Sequence, residues 1–169
     1  RKQRQFQTAI VVESSRGLIL DRNNKELASS VSAYSIFADP ALIQKNAKVM
    51  RQISKVLHIP YKSVNRKLKN TKRRFVWLKR KQPKEIKDQV KQLNIKGLGF
   101  IEESKRIYPN LNILSQTLGF VGNQGKGLEG VELMLEDHLS GNNKKIELKK
   151  DARGIPLIVN GQLITERQD

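Results

Sequence analysis

A chain of 169 residues has the length of one compact domain or two small ones and can bury about 70% of the surface its unfolded form exposes. With 37% apolar and 29% charged residues it is neither a membrane bundle nor compelled to be disordered, and the absence of cysteine excludes disulfides, thiolate metal sites and thiol nucleophiles. Thirty-three Lys and Arg against 16 Asp and Glu, a net of +17, make a polyanion a fair first expectation for a neighbour.

In chain order, Phe6 to Val12 and Arg16 to Leu20 read as strands, separated from the next strand, Val31 to Ala38, by an Asp21-Arg22-Asn23-Asn24 turn. Asp39-Pro40 predicts a helix start, with Asp as cap and Pro at the first helical position. Leu42, Ile43, Val49, Met50, Ile53 and Leu57 recur at helical spacing to about residue 57. Pro60 opens a second helix carrying Val64 and Leu68. A strand over 74–79 follows, and Pro83 begins a third helix with Ile86, Val90 and Leu93. Phe100 to Glu103 is a short strand, with Glu102 and Glu103 on opposite faces. Leu111, Leu114 and Leu118 suggest a helix stopped by Gly119. Gly127 to Leu139 reads as a helix closed by Gly141. The end reads as strands near 145–150, 155–159 and 162–165, with Asn160-Gly161 as a hairpin turn. Helices between 40 and 95 with strands on both sides predict an α+β fold: a mostly antiparallel β base, residues 1–38 and 97–169, with an inserted helix-rich head, residues 39–96.

The charge is uneven: residues 62–91 hold thirteen Lys and Arg against Glu85 and Asp88, a local net of +11. Lys69, Lys72, Arg73, Arg74, Lys79, Arg80 and Lys81 are candidates for a partner-facing basic patch. Phe75 and Trp77 could serve as stacking platforms for single-stranded nucleic acid, or the segment could be a buried strand with basic ends. No recognised nucleic-acid motif is present, so nucleic acid is not expected among the partners; a stand-alone basic module for nucleic acid or an anionic wall polymer is the alternative function.

Little else carries chemistry. Gly125-Lys126-Gly127-Leu128-Glu129-Gly130 matches G-x-G-x-x-G, but its lead-in is broken by glycine and Glu129 stands where a pyrophosphate would meet the helix. His58 and His138 are 80 positions apart without a second histidine at ligand spacing. No nucleophile–base pair, metal or cofactor is expected.

Three segments together resemble class B penicillin-binding proteins. Arg16-Gly17-Leu18-Ile19-Leu20-Asp21-Arg22-Asn23 with Leu27-Ala28 resembles their R-G-x-I-x-D-R-N box. Arg106-Ile107-Tyr108-Pro109 resembles R-x-Y-P, and Gly125 to Glu132 resembles G-x-G-x-E-G-x-E, with Leu139-Ser140-Gly141 downstream. Ala38-Asp39-Pro40 and Lys150-Asp151-Ala152-Arg153-Gly154 extend the likeness. The surroundings of Trp77 to Arg80 and of Leu93 to Gly97 look more like the division-specific (septal) members. Two departures stand out: Asn24 where the family usually has glycine, and no glycine soon after Pro109.

The resemblance implies a bitopic inner-membrane parent with one transmembrane span, this pedestal or dimerisation domain outside the cytoplasm, and a C-terminal serine D,D-transpeptidase domain. It implies as partners that transpeptidase domain, a polytopic glycosyltransferase, other division or elongation membrane proteins, or a second copy. The enzyme domain's S-x-x-K and K-T-G elements do not occur here, and S-x-N occurs only at Ser63-Val64-Asn65 and Ser140-Gly141-Asn142, so the chain itself is expected to be non-catalytic. A start at Arg1 rather than Met agrees with an excised piece. The boxes are expected to meet as a charged joint. Its arginines would be Arg16, Arg22 and Arg106, its acids Asp21, Glu129 and Glu132, and Gly17, Tyr108, Pro109, Gly127 and Gly130 belong to the same motif set.

Overall fold

The structure is a computed structural model, in which residues 9–109, 116–122, 124–142, 144–147, 158–159 and 162–163 are described. It is α+β. Strands β1 (Ala9–Val12), β2 (Ile19–Leu20) and β3 (Glu26–Ala38) lead into helices α1 (Ala47–Leu57) and α2 (Tyr61–Leu68). Then come β4 (Val76–Gln82), α3 (Lys84–Gln92) and β5 (Leu98–Ile107), two short helices α4 (Gly130–Met134) and α5 (Glu136–Leu139), and strands β6 (Lys144–Glu147), β7 (Ile158–Val159) and β8 (Gln162–Leu163). The main sheet runs β2-β3-β5-β8-β7, with β4 also on β3; β1 and β6 form a separate ribbon. Both β2 and β4 are antiparallel to β3, β7 is antiparallel to β8, and β5 meets β8 in parallel at Phe100 and Gln162. The predicted Asn160-Gly161 turn lies outside the described residues.

The chain divides into two compact units. The helical unit is Tyr34–Glu102 with the described parts of 1–10 and 145–169; the motif unit is Val11–Ala33 with Glu103–Lys144. This differs from the expected base and head. Residues 34–38 and 97–102, expected in the base, contribute Ile36, Ala38, Leu98 and Phe100 to the same apolar core as the helices.

In the helical unit, Met50, Ile53 and Leu57 recur at i, i+3 and i+7 on α1, and Val64 and Leu68 at i and i+4 on α2. Each pattern places one helix face inward, where it joins Leu78 and Val90. Full burial of one such side chain stabilises by about 1.5–3 kcal/mol, which outweighs the weaker helix propensity of residues such as Val, Ile and Ser in these segments.

The α1 start is corrected. Residues 40–43 form a turn, and the cap is Asn46, whose side chain accepts the Val49 N–H at 2.8 Å. Asp39 cannot serve, because its fully buried carboxylate is held by Arg74 at 2.7–3.1 Å and by the Ala41 N–H at 2.9 Å. A carboxylate taken out of water requires a cation more than a helix requires that cap.

The motif unit carries a second correction. The single helix expected over Gly127–Leu139 is two, with the break at Leu135. Its first residues are used otherwise: Gly127 bridges Val121, and Gly130 takes φ +60° where a β-carbon would overlap the Thr117 carbonyl oxygen and the Gly119 nitrogen. The Asp21 turn is as expected, with Asn24 at φ +60°.

Candidate functional site

The motif unit is built round one ionic cluster. Glu132, on α4, is fully buried and accepts from two arginines. Arg16 Nε donates to Oε2 at 2.7 Å and Arg106 Nε to Oε1 at 2.8 Å. Arg16 precedes β2, Arg106 lies on β5, and the three residues are separated by 90 and 26 positions, so the contacts tie together three distant stretches of chain. Each guanidinium also binds backbone. Arg16 Nη2 donates to the Glu132 carbonyl at 2.9 Å and Nη1 to that of Gly125 at 3.0 Å, while Arg106 Nη1 donates to the Gly17 carbonyl at 2.6 Å. Planar forks with fixed donor directions suit this use, which an ammonium could not copy. Ser30 Oγ accepts the Arg16 N–H at 3.2 Å and donates back to its carbonyl at 3.1 Å, fixing the backbone from which Arg16 projects.

Glu136 completes the cluster. It pairs with Arg16 Nη2 at 2.7 Å and accepts the Gly127 N–H at 2.8 Å. Its hydrogen bond with Arg16 holds its carboxyl below the usual carboxylate range, although burial opposes this. Burial alone would lower the Arg16 pKa; hydrogen bonds to Glu136 and Glu132 outweigh it, and the net direction is upward. The Tyr108 hydroxyl is pushed up to about 12, first by burial and then by the negative charge of Glu132. A β-carbon at Gly127 would overlap the Glu132 carbonyl, so this position admits only glycine without displacing the helix that carries the acid.

The expected joint is thus assembled from Arg16, Arg106 and Glu132, with Gly17 and Gly127 in direct contact. Three expected members are elsewhere. Arg22 is exposed; Asp21 accepts the Asn23 and Lys25 N–H groups at 2.7 and 2.9 Å within its own turn; Glu129 is exposed ahead of α4. Their positions in a tight turn and on an exposed approach leave no route inward. Gly130 shapes the start of α4, and Pro109 is exposed beyond β5. Glu136 and Ser30 were not anticipated. The four-residue spacing from Glu132 was the available signal for Glu136; nothing local marks Ser30.

The basic candidates divide. Lys69, Lys72 and Arg73 are exposed. Arg74 belongs to Asp39, Lys79 donates to the last α1 carbonyl, Leu57, at 2.7 Å, and Arg80 lies 5.0 Å from the Trp77 ring centre. The Lys81 N–H donates to Ser35 Oγ at 2.9 Å. Lys67, outside the candidate set, spans the Trp77 and Leu78 carbonyls at 3.0 and 2.7 Å, and burial, aided by Arg66, lowers its pKa. Phe75 stacks on Phe37 at 4.9 Å and meets Trp77 edge-on at 4.9 Å, so these rings serve the interior rather than a ligand. Among the described residues no group of acidic, His or Cys side chains could hold a metal ion, and no helix is long and apolar enough to cross a membrane.

The fold has a counterpart among solved structures. It is similar to a crystal structure of penicillin binding protein 2X from Streptococcus thermophilus, with a TM-score of 0.59, 24% identity, and coverage of 94% of this chain and 28% of that one. The penicillin-binding protein dimerisation domain family matches residues 11–166, and the chain belongs to that family, as the pedestal domain of a class B member. Probable peptidoglycan D,D-transpeptidase PenA of Neisseria meningitidis serogroup A is 33% identical over 143 residues, 83% of this chain and 25% of its own length. Peptidoglycan D,D-transpeptidase FtsI of Escherichia coli K12 is 31% identical over 149 residues, 85% of this chain and 25% of its own. The chain therefore spans about a quarter of the length of these curated relatives.

Proposed function

We propose that this chain is the non-catalytic pedestal of a membrane-anchored, extracytoplasmic peptidoglycan D,D-transpeptidase acting in septal wall synthesis, and that it positions a C-terminal serine transpeptidase domain. The names and lengths of the relatives support the parent activity. The observation that carries the positioning role is the buried Arg16–Glu132–Arg106 network, formed by all three sequence boxes at once. A network of charge-assisted bonds between distant segments resists local bending, because moving one segment strands a buried charge. Rigidity of that kind suits a support that holds a catalytic module in place without entering its chemistry. The helix-rich part of the helical unit, within residues 39–96, is on this reading the docking element for a polytopic glycosyltransferase, other division or elongation membrane proteins, or a second copy.

The test uses the full-length parent. Glu132→Ala is expected to leave acylation of the purified parent by a fluorescent penicillin unchanged while cells relying on it fail to complete septa. Normal septation by a parent lacking residues 11–166, or transpeptidase or hydrolase activity from the 169-residue chain alone, overturns the reading.

A further inference from the structure

Between Pro40 and Lys84 the chain has fifteen Lys and Arg and no Asp or Glu. Several of these cations have internal work, as described for Lys67, Arg74 and Lys79. The remainder form a pattern. Lys48, Arg51 and Lys55 fall at i, i+3 and i+7 on α1; Lys62, Arg66 and Lys69 fall at i, i+4 and i+7 along α2 and its cap. All six are exposed and make no ion pair among the described residues. Because both helices turn their apolar faces to one core, the two stripes face outward. Lys45 Nζ reaches the Lys69 carbonyl at 3.4 Å, which places the start of α1 beside the end of α2, with exposed Lys72 and Arg73 following.

This arrangement works against the helices that carry it. Like charges three and four apart repel. Lys48 and Lys62 also sit in the first turns of their helices, where the macrodipole is positive, and neither first turn holds an acid. Folding needs none of these charges, since the apolar faces already anchor both helices. A surface that opposes its own fold in this way is compensated when an anion lies against it.

We propose that the outward face of α1 and α2 binds a linear, base-free phosphodiester polymer of the kind borne by cell walls. Two rivals fit less well. A single-stranded nucleic acid requires aromatic platforms, and Phe75 is stacked on Phe37 while Trp77 meets both rings edge-on. A bilayer surface is gripped by apolar wedges beside the cations, and Tyr61 is the sole exposed large hydrophobic residue on these helices among the described residues. What remains is charge that tracks a flexible phosphate chain. The choice of a wall polymer rests on the extracytoplasmic reading above; the charged face itself does not.

The experiment is titration of the 169-residue chain with lipid-free poly(glycerol phosphate) at rising salt. At about 50 mM salt the wild type is expected to bind, with log K falling linearly against log salt. The triple variant K48Q/R51Q/R66Q is expected to bind about tenfold or more weakly with a slope shallower by about two units, whereas K25Q/K105Q/K126Q, which removes equal charge from the motif unit, keeps most of the affinity. Amide shifts of the wild-type chain on titration should concentrate between residues 45 and 73, independently of any variant. No binding, equal losses in the two variants, shifts centred elsewhere, or tighter capture by oligothymidylate or by phosphatidylglycerol vesicles each overturns the proposal. None of these outcomes touches the septation test of the pedestal.

Discussion

The helical unit and the motif unit hold themselves together by opposite means. In residues 34–102 the interior is apolar, and cations act at its margins: Arg74 on a buried carboxylate, Lys67 and Lys79 on strand and helix carbonyls. In residues 11–33 and 103–144 the largest fully buried side chain among the described residues is an acid, Glu132, clasped by two arginines, while Leu128, Leu133 and Met134 near it in sequence are exposed. An apolar core is non-directional and survives modest shifts. An ionic core is directional: it fixes geometry strongly but adds little net stability, since desolvation cancels much of the attraction. The positioning role proposed for this unit would be better served by the second kind.

Substitution separates the two. Glu132→Ala leaves the Arg106 guanidinium buried without its anion and Arg16 with Glu136 alone, and is expected to cost about 3–5 kcal/mol. Hydrogen exchange should show lost amide protection in 11–33 and 103–144 with protection retained in α1 and α2; uniform loss would show that the units do not respond separately. Ile53→Ala opens a cavity in the helical core and should cost about 3 kcal/mol with the opposite exchange pattern.

The smallest effect expected is in pH. Glu136 has a lowered folded pKa, so the stability it adds is present above the ordinary carboxylate pKa and is lost as pH falls through the folded value. For Tyr108 the folded pKa is raised to about 12 from 10.0, so its contribution is intact below pH 10 and is lost between those values as the unfolded chain ionises first. Thermal melts across both limbs should show Tyr108→Phe flattening the alkaline fall and Glu136→Gln the acid one. If instead the alkaline limb is unchanged in Tyr108→Phe, the phenol is not the group that titrates there.

Much of this was readable before folding was considered. The end of the first helix near residue 57, the helix opened by Pro60, the third helix after Pro83 and the turn at Asn24 follow from spacing and turn chemistry. The three boxes pointed to the grouping of Arg16, Arg106 and Glu132. The start of the first helix, expected at Asp39-Pro40, did not follow. The failures share a cause. Asp39 looks like a cap, Arg74 and Lys79 look like surface cations, and Asp21 looks like a joint acid. In each case side-chain chemistry is visible along the chain but the competing partner is 20 or more positions away, or is the residue's own turn.

Periodicity and local turn chemistry are properties of neighbours, so the order of residues alone determined that three helices fall between residues 40 and 95, which of their faces are apolar, and that the basic charge gathers between residues 40 and 84. Which charges are consumed inside and which are left facing outward was decided only by tertiary structure. Burial makes an unpaired ion costly, and each buried ion takes whichever counter-charge or carbonyl the fold brings within about 3 Å, irrespective of sequence distance.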